Sequence, residues 1–181
     1  MPKANPAARK SAKTPAEPKF VSVGLPHVPP LYSLEKRKEY LPWKHAEERL
    51  ARSRNYWICT SRPDGRAHSI PVWGFWMDHA LFFGTARTTT KAKNIAVNPV
   101  ISVHLESGDD VVILEGRVTE VSVEDAELLK RMDAASRAKY KMPLMIMPES
   151  IIYRMRPRVV LAWSEKGFPK DATRWELAPH D

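Results

Sequence analysis

The sequence has one cysteine, Cys59, and only seven glycines in 181 residues. A lone thiol excludes a disulfide framework and any cysteine-based metal centre. With so few glycines there is no glycine-rich phosphate loop, and neither a Gly-x-Ser-x-Gly elbow nor a zinc-ligand spacing occurs. No apolar run has the length of a secretory signal or a membrane span. The basic N-terminal stretch shows no amphipathic helix of the transit-peptide kind. The expectation is a cytoplasmic protein with no membrane partner. His68, His79 and His104 fall on different strands or turns with no ligand spacing, so they read as ordinary surface or core histidines. Glu115 and Glu120 do not form an acid/base pair that spacing justifies. Cys59 reads as a buried small hydrophobe. There is no internal repeat.

What is present starts with charge, +8 overall. Residues 1–30 carry seven of the sixteen prolines, and Lys3, Arg9, Lys10, Lys13 and Lys19 against Glu17, a balance of +4. Such a stretch cannot bury enough apolar surface to offset its ordering entropy. It is expected to be a disordered basic tail, followed by one domain over 31–181. The other +4 is spread among interleaved acids, and no recognition motif accompanies it, so no nucleic-acid partner is expected. A basic domain does suit a small anionic ligand.

Hydrophobic periodicity predicts the layout. Residues 42–53 read as a helix, with Pro42 in the first turn and Trp43, Ala46 and Leu50 on one face. Strands follow at 56–61, 66–76 and 81–85, a meander turned at Arg62–Gly65 and Met77–His79. Thr88–Val97 reads as a short helix stopped by Asn98-Pro99. Strands at 100–105 and 111–121 come next, then a helix over 124–139 and a methionine- and proline-rich loop over 142–148. Strands at 159–164 and 173–177 close the chain. Six or so strands with a few peripheral helices and no βαβ alternation predict a mainly β (α+β) fold, a six-stranded antiparallel barrel.

Two segments carry candidate chemistry. In Arg66–Trp76, Pro71 cannot donate a ladder hydrogen bond and so marks an edge, a bulge or an opening of the sheet. An opened strand frees backbone N–H and C=O groups to pair with a flat heterocycle. A plain half-buried edge strand fits the same residues. In Thr85–Asn94, hydroxyl groups precede a helix whose positive dipole end favours a phosphate, with Arg87 and Lys91 as cationic donors. A capped helix with a solvated basic face fits these residues equally.

Taken in order, Tyr56–Thr60, Asp64–His68, Pro71–Gly74, Phe82–Thr85, Lys91–Ile95, Asn98-Pro99 and Glu115-Gly116 resemble the pyridoxamine 5′-phosphate oxidase-like, FMN-binding split-barrel superfamily. The likeness covers about Leu41 to Trp175 and is greatest to the branch of actinobacterial flavin and deazaflavin oxidoreductases. It implies a homodimer of two split barrels with the cofactor in a groove between subunits. By position it sets the cofactor ring against Ile70, Pro71, Val72 and Trp73, and the phosphate near Thr85, Lys91 and Asn94, which Arg87 and Thr90 join as candidate donors at the helix start. Thr89 and Thr90 stand where relatives often have Arg or Ser. No match to the substrate-phosphate residues of true pyridoxamine-phosphate oxidases is found.

The resemblance implies an oxidoreductase moving a hydride between a small organic substrate and FMN or an 8-hydroxy-5-deazaflavin coenzyme of the F-420 type, with no side chain required as acid or base. The alternative is a non-catalytic split-barrel module that holds flavin or haem. On the first helix of that site Lys91 is expected to meet the phosphate and Lys93 not, since two residues on a helix differ by about 200°.

Overall fold

A computed structural model describes residues 16–29 and 40–179. Within them the elements run β1 (Phe20–Gly24), α1 (Trp43–Arg52), β2 (Asn55–Ser61), β3 (Ala67–Met77), β4 (Ala80–Ala86), α2 (Thr90–Val97), β5 (Val100–His104), β6 (Asp110–Val121), α3 (Ala126–Tyr140), β7 (Ser150–Ser164) and β8 (Thr173–Leu177). All strand pairings are antiparallel. The order β7-β4-β3-β2-β5-β6 closes on itself through a β7–β6 pairing, giving the expected six-stranded barrel, mainly β, with three helices.

The long strand β7 is what closes it. Its first half, from Ser150 to Met155, pairs with β4, its second half, Val159 to Ala162, with β8, and nearly its whole length pairs with β6. Strand β8 carries β1 on its other side. Here the disordered-tail reading of residues 1–30 is corrected in part. Phe20–Gly24 is a strand, and Phe20 packs edge-on against Trp43 at 5.5 Å between ring centres. Residues 1–15 lie outside the described residues. β7 also begins nine residues earlier than the sequence reading placed it. Pro157 sits inside it without breaking it because the β6–β7 register shifts between Glu115 and Gly116, and Pro157 lies opposite Gly116. A Cβ on Gly116 would come within 2.2 Å of the Arg156 carbonyl oxygen, so the bulge needs glycine there.

Helix α1 covers one end of the barrel, burying Trp43, Ala46 and Leu50 as its spacing predicts. The main core also takes Tyr56, Ile58, Phe83, Leu114, Met155 and Trp175. A smaller second core lies outside the barrel wall, where α3 brings Met132 and Tyr140 onto Phe75, Phe82 and Ile152. Helix α3 is capped by the Asp125 carboxylate, which accepts the Leu128 N–H at 3.0 Å. Cys59 is half-buried rather than buried, with its sulfur 3.2 Å from the Ser69 hydroxyl on the neighbouring strand. No helix among the described residues is long and apolar enough to cross a membrane.

Candidate cofactor and substrate site

The site is built by the parting of two strands. β3 pairs with β4 only from Gly74 to Met77, against Phe83 to Ala80. Beyond that point β4 continues along β7 to Ala86, while β3 runs along β2 back to Ala67. Among the described residues, 67–73 therefore have a strand partner on one side only, and alternate backbone N–H and C=O groups face the gap. This is the opening that Pro71 signalled, and Pro71 itself is exposed.

An apolar cavity of about 720 Å³ lies beside the split. Trp73 and Phe75 of β3, Gly84–Ala86 of β4, and Met132, Ser136 and Tyr140 of α3 form its walls, and the loop 142–150 closes it. Trp73 is 46% exposed, yet its ring stacks on Tyr140 at 4.5 Å and 8°, with the Arg54 guanidinium 5.3 Å from the Trp73 ring centre. Tyr140 is anchored in turn. Its hydroxyl accepts the Gly74 N–H and donates to the Arg54 carbonyl, both at 2.8 Å. Lys139 donates to the Tyr56 hydroxyl at 2.9 Å and to the Gly74 carbonyl at 3.1 Å. Burial lowers its pKa to about 8.

At the Thr85 corner the cavity meets the start of α2. The Thr85 and Thr89 hydroxyl groups are 3.0 Å apart, and Thr89 caps the helix by accepting the Ala92 N–H at 3.4 Å. The N–H groups of Thr90 and Lys91 have no acceptor earlier in the helix, so the positive end of the dipole is open here. Lys91 is half-buried, and burial pushes its ammonium pKa down. No carboxylate pairs with it among the described residues. Lys93 is exposed and turned to a different hollow, shared with Arg87 and Glu120.

The nine residues singled out from the sequence thus divide. Trp73 and Thr85 line the cavity, and Thr90 and Lys91 sit at the adjoining helix start. Ile70, Pro71 and Val72 lie on the open stretch of β3. Val72 packs its side chain against the barrel core, which leaves its backbone to a ligand. Arg87 is drawn off by an ion pair with Glu120. Asn94 is buried and donates to the Thr60 hydroxyl at 2.9 Å, tying α2 to β2. Trp76 turns inward onto Trp43 rather than sharing the exposed face of Trp73. The sequence reading missed Tyr140, Ser136 and the loop 142–150 as lining. The run of Met142, Met145 and Met147, exposed beside the cavity, was the available signal.

No curated protein matches the chain. Solved structures do. An F420 reductase matches at 23% identity and TM-score 0.53, over 66% of this chain and 98% of its own. A conserved hypothetical protein, Rv2991, from Mycobacterium tuberculosis matches at 22% and 0.61, over 82% and 96%. A FAD-binding protein from Mesorhizobium loti matches at 17% and 0.54, over 75% and 95%. At these identities they establish the fold. The family profile described as pyridoxamine 5′-phosphate oxidase matches residues 42–164, more than half of the sequence, and the chain belongs to that family.

Proposed function

We propose that the protein is a homodimeric oxidoreductase that binds FMN or an 8-hydroxy-5-deazaflavin coenzyme at the split and turns over an apolar organic molecule in the adjoining cavity. The observation that carries this reading is that three features adjoin one another through Trp73 and Thr85. The unpaired edge of β3 offers hydrogen bonds to a planar ring. The α2 start beyond Thr85 offers N–H groups, hydroxyl groups and Lys91 to a phosphate. The cavity beside Trp73 offers a second, apolar volume next to the ring.

These groups fit such a cofactor, which when bound would supply the hydride. The chain's part is to bind and orient. The β3 backbone fixes the ring plane, Thr85 and Lys91 hold its charged end, and the walls of α3 and the loop 142–150 exclude water from the reacting face. Trp73, apolar and half-exposed at the rim, suits a cover supplied by a second subunit. The F420 reductase among the structural matches favours the deazaflavin over FMN.

The test is an absorbance titration with FMN, the deazaflavin coenzyme and haem in turn, with light scattering on the same sample. Saturable binding of one of the first two by a dimer supports the reading. Binding of haem alone would leave a carrier module, and a monomer that binds cofactor fully would remove the subunit groove. Gly84→Leu sharpens the result. A Cβ there meets only the Ile151 carbonyl oxygen, at 3.8 Å, so the backbone accepts a side chain at this point of the cavity wall. It should leave cofactor affinity within about threefold while blocking turnover of any substrate found, since it fills the volume assigned to that substrate.

A further inference from the structure

A second basic surface lies on the outer face of the β6–β7 ladder. It shares no lining residue with the cavity at the split. Arg117 stands opposite Arg156, and Thr119 opposite Arg154. With Arg158 they line a groove of about 530 Å³, bounded on one side by Ala178 and Pro179.

The charge there is unbalanced. Arg158 reaches Glu176 at 3.5 Å, but that carboxylate also serves Arg174 at 3.1 Å. Arg117, Arg154 and Arg156 have no ion pair among the described residues. Asp78 lies near enough to act on Arg156, yet both its oxygens are taken by Arg131, at 2.8 and 2.7 Å. The Nε atoms of Arg154 and Arg156 are closed off from solvent with no hydrogen-bond partner among the described residues. Burial first, then the charge of Arg154, lowers the Arg156 pKa from its ordinary value. Like charges directly opposite on neighbouring strands destabilise a sheet, and an unmet buried donor adds to the cost. An anion that binds only the folded chain would relieve both.

We propose that this groove binds a small, multiply charged anion of the phosphate or polyphosphate class, held by Arg117, Arg154 and Arg156 with Arg158 at its rim. Guanidinium groups present planar forks of N–H donors, which match phosphate oxygens in pairs. Three of them on adjacent strand positions converge on one ligand where lysines would act as scattered point charges. The site is independent of the cofactor reading and stands whether or not that reading does.

The experiment uses the full chain and inorganic pyrophosphate, by calorimetric titration and by melting curves at ionic strength held constant with chloride. The expected result is saturable binding and a rise in melting temperature that matched chloride does not give. Arg156→Gln should weaken binding about 10- to 100-fold, the worth of one charge-assisted contact. Without anion the same variant should melt about 1–3 °C higher than the native chain, because repulsion is removed. Arg154→Gln repeats the test on the second buried guanidinium, should either variant fold poorly. Lys44→Ala, at an exposed lysine of α1 that lines neither site, serves as the control and should keep the binding. Loss of binding in Lys91→Ala alone would move the anion to α2 and overturn the proposal. So would undiminished binding in both arginine variants, or a chain that binds oligonucleotide and not pyrophosphate.

Discussion

The two ends of the β3–β4 hairpin differ in pairing and in burial. At the closed end the strands are joined by a two-residue turn, Asp78-His79, both with positive φ (51° and 55°), the geometry that matches strand twist. There β4 buries Phe82 and Phe83, and β3 approaches so closely that a Cβ on Gly74 would lie 2.9 Å from the Phe82 carbonyl oxygen. At the open end no ladder joins the strands, Gly84 is exposed, and Trp73 stands at the surface. One hairpin thus uses one end for packing and leaves the other end's backbone free for a ligand. That division is possible because β2 and β7 hold the two strands from outside after they part.

If this contrast is right, substitutions at the two ends act on different properties. Phe83→Ala removes a fully buried ring from the main core and should cost about 3–5 kcal/mol by urea denaturation. Trp73→Ala removes a stacked, half-exposed ring and should cost only about 1 kcal/mol, while weakening ligand binding at the split. Equal losses of stability would show that the open end is structural.

Within the open end, the sharper comparison is between two lysines on one helix. Lys91 is half-buried at the first turn of α2 with no ion pair among the described residues, whereas Lys93 is exposed and faces the hollow of Glu120. Lys91→Ala should weaken cofactor binding about ten- to hundredfold, from one charge-assisted contact of about 1.5–3 kcal/mol. Lys93→Ala should cost less than about threefold, and that loss should vanish at high salt. Titration of both variants at two salt concentrations decides it. A larger effect from Lys93 would place the anion on the other face of α2.

A third comparison concerns the N-terminal stretch. Deleting residues 1–15 should leave the melting curve unchanged. Phe20→Ala should lower stability by about 1–2 kcal/mol, because this half-buried ring packs on Trp43. If both changes are silent, β1 contributes nothing that the barrel needs.

These outcomes bear on what could be read from the residues. Helix α1, the meander β2–β4 and the start of α2 were legible because each has a local signal, a periodic stripe, a turn or a cap. β1 was not. Its pattern Phe-Val-Ser-Val-Gly is short, lies among prolines, and becomes a strand only by pairing with β8, about 150 residues away. The first half of β7 alternates Ile151, Tyr153 and Met155 inward with Arg154, Arg156 and Arg158 outward, but Pro157 hides the pattern until Gly116 is known to lie opposite. In the site, Trp73, Thr85 and Lys91 followed from local chemistry. The cavity did not, since the loop 142–148 has no periodicity and acquires its role only by lying against α3. Nor did the loss of Arg87 to Glu120, a pairing across 33 positions.

The smallest expected effect is a pH dependence set by Lys139, and it separates the anchor of Tyr140 from the rest of the open end. Burial lowers the Lys139 pKa to about 8, against about 10.4 for an unfolded lysine. Between those values the unfolded chain binds more protons than the folded one, so stability should rise as the pH is raised from 8 to 10. Below pH 8 both states are protonated and the penalty is constant. Lys139 is partly exposed, so water screens the effect and the slope should be shallow. Tyr56, whose hydroxyl pKa burial raises, works in the opposite direction, but only above about pH 10, where an unfolded tyrosine ionises. Lys91 is also depressed by burial and contributes a slope of the same sign to native and variant alike. The comparison is therefore native against Lys139→Met, as melting temperature from pH 7 to 10. Lys139→Met should flatten the rise above pH 8 and reduce the difference between pH 8 and pH 10. Parallel curves would mean that the ammonium group reaches water in the folded chain. The hydrogen bonds to the Tyr56 hydroxyl and the Gly74 carbonyl would then not be what holds the end of α3 against the split.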